Sequence, residues 1–414
     1  MLRRFAAYLD RRFAFRGLVK GLRDQRAMPR IPTANVWLPL FAMFAFRLGS
    51  FNALEMELRR PKRWEGFIPG PKPSADTLGR VCAKFSMREL RELLLAIHRR
   101  AWRSKAIHAR AGEAYRVVAV DGHELFASRA RCCASCQRRE LEVEGQKVVE
   151  YYHRVVVAQW VGVTPAAIVD VEPVGPSEGE VVAARRLIER ILSTYPRLID
   201  VICADALYLQ APFIRVVLDA GKHVVITLKQ EARELYQDAQ RLRALLSPQI
   251  IQEGSRTTEY WDLADLSSFT TLGQPMRVVW AEEHSVKRKI IGAKPTILQE
   301  EKTWIFVTDL APSIVPATAI LRWGHDRWDL ENRGFNELST LWHMDHCFIH
   351  HQNAIEALLL TLSCAFLTTF LFYERNLKFP ARRHLTRLAL AARLMEDLSE
   401  RAGVPLWPSL WGSG

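Results

Sequence analysis

Residues 198–228 read LIDVICADALYLQAPFIRVVLDAGKHVVITL. Two Val- and Ile-rich runs, 198–203 and 223–228, are too short for buried helices and predict strands. Between them, 212–220 opens on Pro212 and carries apolar residues at helical spacing, which predicts a helix. Strand, helix, strand within some thirty residues implies a parallel pair joined by a crossover, and hence an α/β fold. Upstream, 116–120 (RVVAV), 151–161 and 167–171 predict three further strands. A helix should follow, opened by a Ser177/Glu180 capping box and continued by Val181, Ala184, Leu187, Ile188, Ile191 and Leu192. Downstream, 230–302 is polar, with strand-like pieces at 257–261 and 276–280 and without the helices that a parallel sheet needs between its strands. It predicts an inserted β-rich subdomain. The α/β rhythm resumes with a strand at 304–308, and from residue 316 onward the chain reads as helix.

Residues 1–110 also read as helical. Ser86 and Glu89 form a capping box, and the segment after it alternates an apolar set (Leu90, Leu93, Leu94, Ile97) with a basic one (Arg88, Arg91, Arg99, Arg100). FIPGPKPSADT, residues 67–77, separates two helical groups as a loop. The expected organisation is a basic helical region at 1–110, an α/β domain in two parts at 111–229 and 303–375, the insertion at 230–302, and a helical tail at 376–414.

At 414 residues, with 49% hydrophobic and 25% charged side chains, the chain has globular composition, which excludes disordered, collagen-like and disulfide-dense classes. Its charge is unevenly placed. Residues 1–110 hold 24 basic and 8 acidic side chains, whereas the remaining 304 hold 34 and 37. A basic excess confined to one end fits a polyanion-binding unit joined to a body with another task, nucleic acid being the expected polyanion. Seven unevenly spaced cysteines suit a reducing cytosol. No signal peptide is visible. The apolar run 354–373 carries Glu356 and reads as a buried helix in preference to a membrane span, so no membrane partner is expected.

Asp121 ends the first strand in VVAVDG, and Asp205 follows the fourth in ICADALY. Carboxylates at the C-terminal ends of neighbouring strands stand where open α/β sheets bind ligands, and two such charges close together call for a cation. Asp200 competes for the second place but precedes its strand. In RWDLENRGFNELSTLW, residues 327–342, Glu331 falls inside the helical arc of Trp328, Phe335, Leu338 and Trp342. A carboxylate facing the protein body must be paired or bind a metal. Arg327 lies one turn earlier, either as a partner that locks the helix or as a phosphate contact. Three acids from two strand ends and a late helix, joined to a basic region, point to two-metal phosphodiester chemistry. Hard oxygen ligands favour Mg²⁺ or Mn²⁺, two ions in all.

VVAVDG, ICADALY and RWDLENRGFNEL together resemble the three acidic motifs of DDE transposases from bacterial insertion sequences. The spacings are 84 residues between the first two acids and 126 between the last two. The resemblance covers residues 115–375. It implies a ribonuclease H-like catalytic domain with a mixed sheet, interrupted by a β-rich insertion, that cuts and joins DNA with metal-binding acids at Asp121, Asp205 and Glu331. Its partners would be the double-stranded DNA of the terminal repeats and of the target, bound by a homodimer in the bacterial cytosol at the nucleoid. The family's tyrosine-arginine-glutamate-lysine signature is kept at Arg327 and Glu331. Gly324 stands where tyrosine is expected, and Leu338 and Ser339 stand where lysine is. Those departures keep open a catalytically impaired, transposase-derived DNA-binding protein.

Three smaller constellations remain. Cys133 and Cys136 form a CxxC beside Cys132, with His153 downstream. That is half a zinc site, with reduced loop cysteines as the default reading. His343, His346, Cys347, His350 and His351 read as polar residues of a turn between helices, with DNA-phosphate contact by His343 and His346, or metal binding by the cluster, as the functional alternatives. Trp261 and Trp280 read as sheet packing. Stacking on an unpaired base, as the resembled enzymes do with an aromatic from this subdomain, is their functional alternative.

Overall fold

The computed structural model describes residues 1–400 apart from 69, 230–232, 292–293, 379–381 and 383. Its centre is a mixed sheet of ten strands among the described residues. Strand β1 (Val117–Ser128) starts as a fully buried run, VVAV, because helices cover both faces of the sheet there. After a short strand β2 (Gln137–Val143), β1 pairs antiparallel with the long β3 (Gln146–Val161), and β4 (Ala167–Pro173) lies on the far side of β3. Helix α1 (Glu180–Thr194) crosses to β5 (Val201–Ala204), which runs parallel to β1. Helix α2 (Ala211–Asp219) then crosses to β6 (His223–Thr227), parallel to β5. The order β4-β3-β1-β5-β6 gives the mixed α/β sheet expected and is consistent with a ribonuclease H-like domain.

The segment 230–302 does not form a separate layer. After helix α3 (Glu234–Arg243), strands β7 (Gln249–Glu253), β8 (Arg256–Leu266), β9 (Met276–Ile291) and β10 (Lys294–Thr308) form an antiparallel run. The end of β10 pairs with β6, so these strands prolong the central sheet. The expected strand at 304–308 is the last third of β10.

Among the described residues, six helices occupy the first 103 positions and share a core with the rest of the chain. Thr33–Ala45 is buried along its whole length against α4 (Gln352–Asn376). Trp37 Nε1 donates to Thr361 Oγ1 at 3.0 Å, across 324 positions of sequence. By length and composition α4 could cross a membrane, but 83% of its most apolar window is buried inside the protein. The acid in that run, Glu356, meets Arg91, which also contacts Asp170 at 3.1 Å. Arg91 therefore belongs to a half-buried ion network with Asp170, Glu172, Glu356 and Arg190, and the outward basic face expected for Met87–Arg103 loses that member. The Ser86 hydroxyl caps that helix at the Glu89 N–H, which is half of the expected box; the Glu89 carboxylate accepts the Arg23 N–H instead.

The expected Ser177/Glu180 box is absent. Ser177 takes a left-handed conformation (φ 60°), α1 starts after Gly179, and Glu180 turns toward the sheet. Of the expected helical tail, Arg387–Glu400 is a helix, and the remainder to 414 lies outside the described residues.

Candidate active site

Val120 on β1 and Ala204 on β5 are partners in a parallel pair, so Asp121 and Asp205 follow them at the same level and on the same side. Asp205 lies just past β5 as expected, but Asp121 does not end its strand: β1 runs on to Ser128 because its antiparallel pairing with β3 continues, Asp121 opposite Val157. Asp200 lies at the other end of β5, where its carboxylate accepts the Arg116 N–H at 2.8 Å, and it takes no part in this cluster. Asp205 uses one oxygen to accept the Leu207 N–H at 2.8 Å and so fixes the short turn Ala206–Tyr208. Asp121 is followed by Gly122 for a steric reason. A Cβ there would lie 2.0 Å from Glu180 Oε2. Glu180 is held by the Tyr208 hydroxyl at 2.7 Å and by Arg154 at 3.3 Å, which places a fourth acid directly behind the strand end.

Glu331 arrives from the opposite side. The helix Ala317–Asp326 widens into a π-turn, Leu330–Phe335, before α-helix resumes at Asn336–Trp342. Such widened turns are frequent at functional sites because they re-aim side chains that regular spacing would send elsewhere. Arg327, 2% exposed, donates from one nitrogen to Asp121 Oδ2 at 3.0 Å and to Glu331 Oε1 at 2.7 Å. The Arg327–Glu331 pair expected from the four-residue step is formed, and the same guanidinium also reaches Asp121. Burial, together with the neighbouring Glu331, pushes the Asp121 carboxyl well above the usual carboxylate range. Burial also opposes charge on Glu331, but hydrogen bonds from Asp121 and Arg327 outweigh it and hold Glu331 below its ordinary value. One guanidinium thus contacts two carboxylates, Asp121 and Glu331, while Asp205 is near enough to Asp121 to oppose its ionisation, an excess of negative oxygen donors whose chemistry fits hard divalent cations.

The departures from the four-residue signature have packing causes. A Cβ on Gly324 would lie 2.2 Å from the ring of Phe306, itself 1% exposed. Leu338 is buried at 1% exposure, where a lysine ammonium would lack water. A cation does lie nearby. Lys229, exposed just past β6, is close enough to favour the charged form of Glu331, and sequence reasoning missed it because it belongs to a different strand end.

Other expected residues lie elsewhere. His343 caps Asn336–Trp342 in a left-handed conformation (φ 58°), and its ring approaches Gly49. His346 packs on Phe348, 4.5 Å between ring centres. Among the described residues neither forms a hydrogen bond or ion pair with the three acids. Trp261 and Trp280 are cross-strand partners, 8% and 4% exposed, with Arg243 held within 4.6 and 4.7 Å of their ring centres. Their faces are taken up by packing, as the first reading expected. Two half-buried tryptophans lie nearer the acids. Trp328 packs against the Arg327 guanidinium (5.5 Å), and Trp304 meets Trp328 edge to face at 5.5 Å.

No curated protein matches the chain. The transposase DDE domain family matches residues 114–368, well over half of its length and all of the segment that brings Asp121, Asp205 and Glu331 to one end of the sheet. The chain is therefore a member of the transposase DDE domain family, a transposase by descent.

Proposed function

We propose that this protein is an active cut-and-paste DNA transposase that cleaves at the terminal repeats of its element and joins the freed ends to target DNA. The observation that carries this reading is the meeting of Asp121 and Glu331 on Arg327, with Asp205 leaving the adjacent strand at the same level. Asp121, Asp205 and Glu331 would hold two Mg²⁺ or Mn²⁺ ions. What those ions supply is a polarised water or 3′-hydroxyl as nucleophile and stabilisation of the leaving oxygen.

The chain's own groups do the rest. Arg327 orients Asp121 and Glu331 and moderates their mutual repulsion. Lys229 offers a mobile cation to a substrate phosphate at the same mouth, a task for which the helix has only Leu338. Trp304 and Trp328 present aromatic surface beside the acids on which a base lifted from the duplex could stack, a better position than that of Trp261 and Trp280. The arginines exposed on Leu2–Phe13 and Met87–Arg103 supply the sequence-independent grip on phosphates, with a homodimer bridging two element ends.

A second reading, a DNA-binding protein that has lost catalysis, is favoured by the burial of Leu338 and the crowding at Gly324. Strand transfer decides between them. A donor carrying the element's own ends, incubated with a target plasmid and Mg²⁺, should yield joined products that vanish in Asp121→Asn. Binding without cleavage under Mg²⁺ and Mn²⁺ alike would establish the second reading.

A further inference from the structure

The CxxC of the β1–β2 connection is completed by residues far away in sequence. His153 comes from β3 and His350 from the turn before α4, 214 positions beyond Cys136. One ligand atom from each of Cys133, Cys136, His153 and His350 lies within 4.8 Å of the other three. The two sulfurs are 3.7 Å apart. His153 Nε2 lies 3.4 Å from each of them, and His350 Nε2 lies 3.2 Å from Cys136 Sγ. A tetrahedral zinc ion with bonds of about 2.3 Å to sulfur and about 2.05 Å to nitrogen requires S···S near ~3.8 Å and S···N near ~3.6 Å. The sulfurs already stand at that separation, and the three S···N distances of 3.4, 3.4 and 3.2 Å lie within a few tenths of an ångström of theirs. A disulfide would need its sulfurs at about 2.05 Å.

The loop and its neighbours are arranged around the site, with His153 buried and the other three residues half-buried. The Cys133 N–H donates to Cys136 Sγ at 3.3 Å, and the Cys136 N–H to the Cys133 carbonyl at 3.1 Å, which folds the loop so that both sulfurs face one point. Such donors to a thiolate are the usual support for a metal-bound cysteine. His153 is 4% exposed, and Phe126 walls both imidazoles at 5.5 and 5.6 Å between ring centres. Two thiolates with two imidazoles select zinc among the common divalent ions.

We propose that Cys133, Cys136, His153 and His350 bind one structural zinc ion, separate from the acidic cluster. The ion ties the β1–β3 hairpin to the chain between Asn336–Trp342 and α4. A second link runs beside it. His123, two residues past Asp121, contacts Asp345 at 2.6 Å and stacks on Phe335 at 4.3 Å. The zinc therefore braces the strand that carries Asp121 against the segment that follows Glu331. All four positions are filled by protein, so the ion is structural.

The full-length protein, purified without chelator, should contain one zinc per chain by elemental analysis. Reconstitution with Co²⁺ should give the visible absorption of a tetrahedral S₂N₂ site. Cys136→Ser and His350→Ala should lose the metal, while Cys132→Ser and Cys347→Ser, which change the two neighbouring exposed thiols, should keep it. Should the ligand variants fail to fold, wild type decides alone: zinc should shield two of its cysteines from alkylation, and stripping the ion should expose them. Metal-free protein that shows no cobalt absorption on titration, or full zinc content in a soluble Cys136→Ser, would overturn the proposal.

Discussion

Glu331→Gln keeps the shape of the side chain and removes the charge, and the geometry sets its cost in two separate currents of free energy. Without divalent metal, Arg327 still has Asp121 Oδ2 at 3.0 Å, so it is not stranded. The lost contact to Glu331 is 2.7 Å long, but that side chain is 40% exposed, which limits such a pair to about 0–1 kcal/mol. Relief of repulsion against Asp121 acts in the opposite direction. The expected net change is within about 1 kcal/mol, or a melting shift of no more than about 4 °C. With Mg²⁺ at about a hundred times its Kd, wild type should gain about 2.7 kcal/mol, and the variant should lose that gain. Cleavage should fall by at least about 10²–10³, since a metal ligand supports several kcal/mol of barrier lowering. Differential scanning fluorimetry in magnesium-free buffer without chelator, then with added Mg²⁺, separates the contributions and leaves any zinc in place. The reasoning is refuted if the variant already melts as though some 3 kcal/mol or more were lost in the metal-free arm, because Glu331 would then be a structural partner. It is refuted equally if the Mg²⁺ shift survives the substitution.

Four further outcomes are expected. Gly122→Ala should lose about 1–3 kcal/mol in urea melts because its Cβ meets Glu180, and Glu180→Ala in the same chain should recover most of it. Restoring the family tyrosine by Gly324→Tyr should destabilise by about 3 kcal/mol or more against Phe306, without raising strand-transfer yield; a stable, more active variant would contradict the packing argument. Replacing the exposed Arg3, Arg12, Arg99 and Arg103 by glutamine should flatten the slope of log K against log salt by about 0.9 for each residue that touches a phosphate, and an unchanged slope would move the DNA-binding face elsewhere. Burial opposes charge on Asp24, but Arg26 and Thr33 overcome it and hold its pKa below the ordinary value. The stability it contributes is present above the unfolded pKa of about 3.9 and is lost as pH falls through the lower folded value, so urea midpoints below about pH 4 should drop less in Asp24→Asn than in wild type.

What the sequence makes legible is what local pattern controls. VVAV and VICA are buried runs ended by an acid, so Asp121 and Asp205 stand out before any fold is known, and the four-residue step from Arg327 to Glu331 survives the widened turn between them. The remainder depends on partners distant in sequence. Arg91 reads as a solvent-facing base because Asp170 and Glu356 lie 79 and 265 positions away. The π-turn at Leu330–Phe335 has no periodic signature of its own, so an even helical projection overstates Trp328 as core and cannot reveal that Glu331 stays partly open. That the strands of the β-rich insertion continue the central sheet is not legible, because edge pairing between β10 and β6 leaves no mark on composition. The CxxC reads as half a site for the same reason, its other half being contributed by β3 and the approach to α4.

The seating of Thr33–Ala45 against α4 also has a meaning for biosynthesis. The first of these partners leaves the ribosome some 300 residues before the second, which at about 5–20 residues per second is roughly 15–60 s. Throughout that interval the face of this thirteen-residue apolar helix that seats on α4 is uncovered, although Phe5 and Phe15 already reach another part of it. A nascent chain of this kind needs a chaperone's hold until α4 emerges, and a copy cut short by a stop codon before residue 352 leaves the ribosome with that surface permanently bare. Damaged copies of the gene should therefore yield products that aggregate or are degraded, and few that fold well enough to compete with the intact protein for DNA.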